Sequence, residues 1–298
     1  MKNQTKNKGL TFTVVCLAQS ANYGEGLGNV TSLKKMTRGD GHQYSYISRR
    51  ALRYSLVGSA GWDNTPVEGQ GKGENQVIQF APQATIEDYP EIDFFGYMKT
   101  VSKTDKEKGG ASKRSAVVRL SDAISLEPFA CDLDFLNNMG LASRINASNN
   151  LAQSEEHLSY YTFTVTVDLD QVGIDGDVEV SDEEKANRME QLLEEFEFLN
   201  RDIKGRNENL NPMFVVGGIY KRKNPFFKDR VKVNSNAINV ETVKEIKESY
   251  DWLNEQTHVG VVSGLFANDE EIKTVLNASS VSEFFKKLRQ EVRDYYVN

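Results

Sequence analysis

The feature that most limits the fold is the order in which strand and helix patterns follow one another along the chain. Four segments show the alternation or the β-branched and aromatic content of strands: residues 10–18, 116–120, 160–169 and 212–220. A short helix is predicted at about residues 48–58, and a longer one begins at Ser181 with a capping-box pattern, Ser181 to Glu184. The central order is therefore strand, helix, strand, strand, helix, strand.

This order predicts an α+β fold with a ferredoxin-like or RNA-recognition-motif topology and a large insertion after the first helix. The long helix is predicted to bury Ala186, Met189, Leu192, Leu193, Phe196 and Leu199. Further helices are predicted at residues 240–255, 269–277 and 282–296. Residues 22–41 and 121–159 are predicted to be loops. Residues 59–110 show little periodicity, which is typical of an insertion.

Charge is distributed unevenly along this chain, whose net charge is −7. Residues 1–58 carry nine Lys and Arg against two Asp and Glu, and residues 211–236 carry six against one. Residues 155–210 carry five against sixteen. The net charge argues against a generic nucleic-acid coat, but two basic segments remain available to an anionic partner such as a phosphate backbone.

Compartment and cofactor use follow from what the sequence lacks. No apolar run approaches the length of a membrane span, and the run after Lys8 has the period of a strand, which disfavours a signal peptide. The two cysteines, Cys16 and Cys131, are too few for a disulfide scaffold or a zinc site. We therefore expect a cytoplasmic protein that uses no metal or cofactor and does not bind a membrane.

Basic residues around the first predicted helix suit phosphate binding. Ser48 can cap this helix, which leaves backbone N–H groups of its first turn free to meet an anion. Arg49 and Arg50 fall in that turn, where positive charge is unfavourable unless an anion is bound. Arg53 is spaced to share their face. The preceding loop adds two further basic residues, Lys34 and Lys35. A solvated basic surface explains the same residues equally well.

The second basic segment follows directly after the last predicted strand of the central order. Its members are Lys221, Arg222, Lys223, Lys228, Arg230 and Lys232. At this place they could extend the groove formed by the first segment. A hairpin whose charge serves only solubility is an equally good interpretation.

Catalytic motifs find little support. The chain has three histidines and contains neither H-E-x-x-H nor G-x-S-x-G. His42 lies beside Tyr44 and Tyr46, so a metal-independent endoribonuclease is an alternative. An exposed histidine in the turn Gly-Asp-Gly-His is the simpler interpretation, and we expect no enzymatic activity.

Several stretches resemble a known family. Residues 22–29, 33–35, 40–41 and 46–53 resemble the N-terminal signature of the DevR-type backbone subunit of type I-B CRISPR Cascade complexes, which belongs to the RAMP superfamily. The similarity continues through residues 119–129, 132–136 and 211–214. It therefore extends over most of the chain in the right order.

The resemblance implies a hand-shaped subunit with an RNA-recognition-type palm at residues 1–58 and 114–298. A finger insertion would occupy residues 59–113 and a thumb hairpin about 122–159. Subunits of this family polymerise along one CRISPR guide RNA beside other Cascade subunits, each thumb reaching over the neighbouring copy. They present the guide bases for pairing with target DNA in antiviral defence, and they cut nothing.

On this interpretation the RNA-binding residues are Asn29, Lys34, Lys35, Ser48, Arg49, Arg50, Arg53, Arg119, Lys221, Arg222 and Lys223. Phe135 and Leu136 are candidate apolar wedges on the thumb, with a core contact as the alternative. The aromatic motifs that stack bases in ordinary RNA-recognition domains are absent from the first strand and its partner, so sequence-specific readout is not expected. The resemblance also suggests a DNA-binding autoregulator as a further possibility.

Overall fold

The computed structural model describes residues 8–19, 21–70, 76–101 and 110–298, and for Glu25, Leu27 and Val101 it describes the backbone only. Residues 1–7, which hold two lysines of the first basic segment, lie outside the described residues, as does part of the predicted finger insertion. Among the described helices, none combines the length and the apolar character needed to cross a bilayer. The fold is α+β.

The described chain contains 22 strands and eight α-helices, with several strands between successive helices in most places. The strands are β1 (Gly9–Ala18), β2 (Tyr23–Leu27), β3 (Val30–Leu33), β4 (Lys35–Thr37), β5 (Gln43–Ile47), β6 (Val67–Gln70), β7 (Val77–Phe80), β8 (Tyr97–Val101), β9 (Gly110–Arg114), β10 (Val118–Leu120), β11 (Ala123–Ser125), β12 (Asp132–Asn137), β13 (Leu151–Glu156), β14 (Ser159–Asp168), β15 (Ile174–Asp175), β16 (Val178–Glu179), β17 (Asn200–Ile203), β18 (Arg206–Asn209), β19 (Phe214–Tyr220), β20 (Val233–Asn234), β21 (Ala237–Ile238) and β22 (His258–Val261). The helices are α1 (Arg49–Ser59), α2 (Pro90–Phe95), α3 (Met139–Ala142), α4 (Asp182–Glu197), α5 (Val240–Glu248), α6 (Asp251–Gln256), α7 (Asp269–Val275) and α8 (Val281–Val297).

The main sheet is antiparallel and has the strand order β22–β19–β1–β14–β11–β5–β4, with β10 pairing to β14 next to β11. The central strand β1 pairs with β14 from Gly9 opposite Asp168 to Ala18 opposite Ser159. On its other side, Gly9 lies opposite Tyr220 at the end of β19. The start of β1 and the ends of β14 and β19 therefore lie together at one end of the sheet.

The two-residue period of β1 separates two apolar clusters. Leu10, Phe12 and Val14 belong to a cluster that includes buried residues of α1, α4 and α8. The Phe12 ring makes edge-to-face contacts with Phe196 of α4 at 5.4 Å between centroids and with a phenylalanine of α8 at 5.8 Å. Val15 belongs to a second cluster with residues of β19, β22, α5 and α7. Helices therefore cover both faces of the sheet.

A second sheet, of strand order β12–β13–β3–β2, corrects two predictions. The sequence pattern predicts loops at residues 22–41 and 121–159, but these segments contain β2, β3, β12 and β13. The link between the two hairpins is a parallel pairing in which Gln153 lies opposite Val30. Strand β12 is exposed along its whole length and most of β3 is half-buried, so neither shows the alternation of buried and exposed side chains by which a strand is predicted.

The predicted helix at residues 240–255 is also corrected, because it is broken into α5 and α6. Tyr250 adopts an extended conformation between them, with φ of −147°. The prediction for α4 is confirmed, since the Ser181 hydroxyl accepts a hydrogen bond from the Glu184 N–H at 3.2 Å. All six side chains predicted for its buried face are buried.

Candidate nucleic-acid interface

The N-terminus of α1 is already hydrogen-bonded within the chain. The Ser48 hydroxyl accepts from the Ala51 N–H at 3.3 Å and donates to Asn22 Oδ1 at 2.7 Å. The Arg49 N–H donates to Asp122 Oδ1, also at 2.7 Å. The expectation that the N–H groups of the first turn are free is therefore wrong for Arg49 and Ala51. Asp122 supplies the negative charge that a helix N-terminus favours.

Four arginines come together beside this helix end. Arg49, Arg50 and Arg53 of α1 and Arg119 of β10 line a cleft of about 400 Å³, which we call the arginine cleft. Its apolar wall is formed by Phe95, Ala116, Val118 and Leu120. Within the described parts of the chain, no Asp or Glu lines this cleft. Arg119, which begins the family-like stretch at residues 119–129, therefore lies beside the three arginines predicted on α1.

Two of the four guanidinium groups have partners. Arg53 Nη2 lies 2.9 Å from Glu91 Oε1, and its guanidinium lies 4.8 Å from the Phe95 ring centroid. Arg119 binds the Asp168 carboxylate through two hydrogen bonds, at 2.6 and 3.1 Å. These bonds raise the pKa of Arg119 and hold its guanidinium in a fixed position.

The other two guanidinium groups, those of Arg49 and Arg50, are exposed. Neither forms an ion pair or a side-chain hydrogen bond with any residue that the structure describes. The arginine cleft therefore combines two anchored cations with two unpaired ones. An anion entering the cleft would meet charge that no carboxylate of the described chain neutralises.

Three of the predicted RNA-binding residues lie outside the arginine cleft, near the second sheet. Lys35 Nζ lies 2.7 Å from Glu155 Oε2 of β13 and 4.3 Å from the ring centroid of Phe129. Lys34 lies between β3 and β4, and its N–H donates to a backbone carbonyl at 2.6 Å. Asn29 is in the turn between β2 and β3, where its carbonyl accepts from a β13 N–H at 2.9 Å.

The second basic segment approaches the arginine cleft through one shared carboxylate, that of Asp168. Lys223 pairs with Asp170, and its Nζ lies 4.0 Å from Asp168, the partner of Arg119. Lys221 Nζ lies 4.7 Å from the ring centroid of Trp252, and Arg222 is exposed. This segment therefore lies beside the cleft, but Asp170 neutralises the charge of Lys223.

The proposed thumb residues Phe135 and Leu136 lie on β12 and are 55% and 47% exposed. Neither belongs to a buried cluster of the described chain, so the alternative of a core contact within the chain is not supported. Other exposed apolar side chains lie on this hairpin and in the segment that connects its strands: Leu133, Met139, Leu141, Ile145 and Leu151. We call these exposed apolar side chains the thumb patch; within β12, Leu133 and Phe135 share one face and Leu136 lies on the other.

The histidine alternative rests on His42, which is exposed. The backbone N–H of His42 donates to Asp40 Oδ1 at 3.0 Å, and the Tyr44 hydroxyl donates to Asp40 Oδ2 at 2.6 Å. The bond to Asp40 raises the pKa of Tyr44, so its phenol keeps its proton at neutral pH. Tyr44 is therefore unsuited to act as a general base beside His42.

These observations describe a class, namely an α+β protein with a cationic cleft at a sheet edge. Residues 10–242 match the family model described as the CRISPR-associated negative auto-regulator DevR/Csa2. The chain belongs to the DevR/Csa2 family, as its sequence motifs predicted.

Solved structures show the same fold at low identity. A chain of a "CRISPR RNA-guided surveillance complex, pre-nicking" has a TM-score of 0.59 and 11% identity, with coverage of 95% of this chain and 100% of that chain. A chain of a "CRISPR RNA-guided surveillance complex" has a TM-score of 0.56 and 13% identity, with coverage of 96% and 98%. No match is found among curated proteins.

Proposed function

We propose that this protein is a non-catalytic backbone subunit of a type I-B Cascade complex and that it holds CRISPR guide RNA by its phosphates. The observation that carries the proposal is the arginine cleft, where the guanidinium groups of Arg49 and Arg50 have no carboxylate partner among the described residues. Membership of the DevR/Csa2 family and the likeness to chains of RNA-guided surveillance complexes support it.

The strand order supports an RNA-recognition-type palm. Strands β19, β1, β14 and β10 are neighbours in that order, and α1 and α4 follow β1 and β14 in the chain. This connectivity is that of the ferredoxin-like unit. We assign residues 59–113, with β6 to β9 and α2, to the finger, and the hairpin β12–β13 to the thumb.

Binding through phosphates suits a guide whose sequence varies. Arginines grip phosphate oxygens in a sequence-independent way, and base edges that are not contacted stay free to pair with target DNA. The thumb patch supports polymerisation along the guide, since exposed apolar side chains concentrated in one hairpin suit a site of protein contact. The neighbouring copy of this chain is the partner we assign to it, and other Cascade subunits would flank the filament.

Removing the two unpaired arginines tests the proposal. We expect Arg49→Ala with Arg50→Ala to weaken binding of single-stranded RNA by the full chain. The slope of log affinity against log salt should flatten by about 0.7 for each phosphate that the variant no longer binds. Lys286→Ala with Lys287→Ala is the matched control, because it removes two exposed charges from α8, whose residues do not line the cleft.

Two results would contradict the proposal. An unchanged affinity and salt slope in the arginine variant would show that the cleft does not hold phosphates. Tight, arginine-dependent binding of the protein's own promoter DNA without guide RNA would instead favour the auto-regulator role that the family description names.

A further inference from the structure

Beside the arginine cleft lies a second, larger cleft of about 750 Å³, which we call the tyrosine cleft. Its walls come from α1, from Val67 and Phe80 of the finger hairpin, and from Asn200 and Asp202 of β17. Its volume lies within the range of small-ligand sites in proteins. Arg50 and Arg53 line both clefts, so the two are contiguous.

Tyr54 is the exposed aromatic side chain of the tyrosine cleft. It is 84% exposed, although its neighbours Leu52, Leu56 and Val57 are buried in the core. No ring contact or hydrogen bond of its side chain is found with any residue that the structure describes. Both faces of a phenol ring are apolar, and such a ring stacks well on another flat ring.

The helical spacing places Tyr54 next to an unpaired cation. Arg50, Tyr54 and Gly58 are four residues apart and form one exposed stripe along α1. Residues at this spacing have Cβ atoms about 5–6 Å apart, and helical side chains lean toward the helix N-terminus, here toward Arg50. A Cβ atom added at Gly58 would meet nothing within 4 Å, so the space on the other side of the ring is open.

The two clefts differ in charge, which suits them to different parts of an RNA chain. Asp63, Glu91 and Asp202 line the tyrosine cleft, and Glu91 is paired with Arg53. A phosphate is therefore better placed in the arginine cleft, which no described carboxylate lines. A base is uncharged, so it can occupy the tyrosine cleft without opposing these carboxylates.

We propose that Tyr54 stacks on a base of the bound single-stranded RNA while Arg49 and Arg50 hold the adjacent phosphate. This inference rests on the proposed RNA binding and adds a base-stacking residue to it. Stacking tolerates any base, since every base has a π-face, so it does not reintroduce sequence readout. It also gives a place for base stacking in a chain that lacks the aromatic motifs of ordinary RNA-recognition strands.

The test compares Tyr54→Ala and Tyr54→Phe in the full chain, on one single-stranded RNA and on an RNA of equal length whose residues are abasic. On the natural RNA, Tyr54→Ala should bind about five- to hundredfold more weakly, and Tyr54→Phe should bind like the unmodified protein. On the abasic RNA the three proteins should bind equally. The salt slope should be the same for all three, because the arginines that bind phosphate are unchanged.

The outcomes separate this inference from the proposed function. If Tyr54→Ala binds natural RNA as well as the unmodified protein does, while the Arg49 and Arg50 variant shows its flatter salt slope, base stacking is wrong and phosphate binding stands. An equal loss on natural and abasic RNA also refutes stacking, because Tyr54 would then act without a base. If the unmodified protein binds neither RNA, both ideas are refuted.

Discussion

Asp93 gives the sharpest prediction about stability. Its side chain is fully buried on α2, within the proposed finger. The carboxylate accepts hydrogen bonds from Arg114 Nη2 at 2.6 Å, from Arg188 Nη1 at 3.2 Å and from the Gly173 N–H at 2.9 Å. These donors belong to β9, α4 and the turn before β15. One carboxylate therefore joins α2 of the proposed finger to α4.

Replacing Asp93 with Ala should strongly reduce the free energy of unfolding. Arg114 and Arg188 have side chains only 6% and 4% exposed, so each would keep a buried charge without this carboxylate. Breaking a buried pair in this way costs about 3–5 kcal/mol. We expect the lower end, about 3 kcal/mol, because Arg188 keeps its ion pair with Glu184 at 2.6 Å and both arginines also donate to backbone carbonyls, such as those of Gln171 and Ile86.

Equilibrium urea unfolding of the full chain at neutral pH measures this change. Asp177→Ala is the matched control, because Asp177 is exposed on the turn that follows Asp175, and surface changes usually lie within about 0.5 kcal/mol. If Asp93→Ala does not fold, Asp93→Asn retains an acceptor for the Gly173 N–H and should show a smaller loss.

A double-mutant cycle with Arg188→Met decides whether the charge is the cause. Because Arg188 loses one of its two carboxylate partners in the Asp93 variant and keeps only Glu184, the double variant should lose less stability than the two single losses summed. Additive losses, within about 0.5 kcal/mol, would refute the argument, as would an Asp93→Ala protein as stable as the Asp177→Ala control.

Two further predictions concern histidines. Burial lowers the pKa of His157 below 6.5, so as the pH falls the unfolded chain binds this proton before the folded chain does, and stability present above pH 6.5 is lost below it. His157→Gln should therefore lose less stability than the unmodified protein between pH 7.5 and 5. Equal losses in urea titrations would contradict this. Repeat RNA incubated with the protein and a metal chelator should stay intact, because the Tyr44 hydroxyl donates its hydrogen bond to Asp40 and keeps its proton. Specific cleavage that disappears in His42→Ala would overturn the non-catalytic proposal.

Local patterns were sufficient for the central strands and for α4. The alternation that predicts residues 10–18 corresponds to β1, whose two faces enter different apolar clusters. The Ser181 cap also fixes where α4 begins, because a capping hydroxyl acts on an N–H only three residues away. Signals of this kind lie within one turn or one strand, so a sequence pattern contains all of them.

The second sheet and β22 leave too weak a sequence pattern to be predicted. Strand β12 is exposed along its whole length, so it shows no alternation of buried and exposed side chains, and the pairing of β13 with β3 joins segments distant in sequence. Strand β22 is only four residues long, and its partner, β19, precedes it by about forty residues. The break between α5 and α6, in contrast, coincides with a hydrogen bond between residues close in sequence. The Ser249 hydroxyl donates to the Ile246 carbonyl at 2.7 Å, as serine commonly does at the end of a helix.

The candidate site shows the same division between local and distant partners. Helical spacing predicts that Arg49, Arg50 and Arg53 lie close together, and the structure adds Arg119 to them. The carboxylates that pair with basic residues are not predictable in this way. Asp168 pairs with Arg119 across 49 positions and Glu155 with Lys35 across 120. A charge count by segment therefore overestimates how many cations remain free for RNA.

Pairing also explains how an acidic chain can bind an anionic polymer without coating it. If every basic residue of the two segments were free, copies would repel one another and bind any RNA without register. Asp168 instead neutralises Arg119 in the arginine cleft, and Asp170 neutralises Lys223 of the second basic segment. Within the arginine cleft, where Arg53 pairs with Glu91, the charge without a carboxylate partner among the described residues is that of Arg49 and Arg50. Two unpaired guanidinium groups at one defined place suit the proposed subunit, in which each copy would occupy a fixed position along the guide.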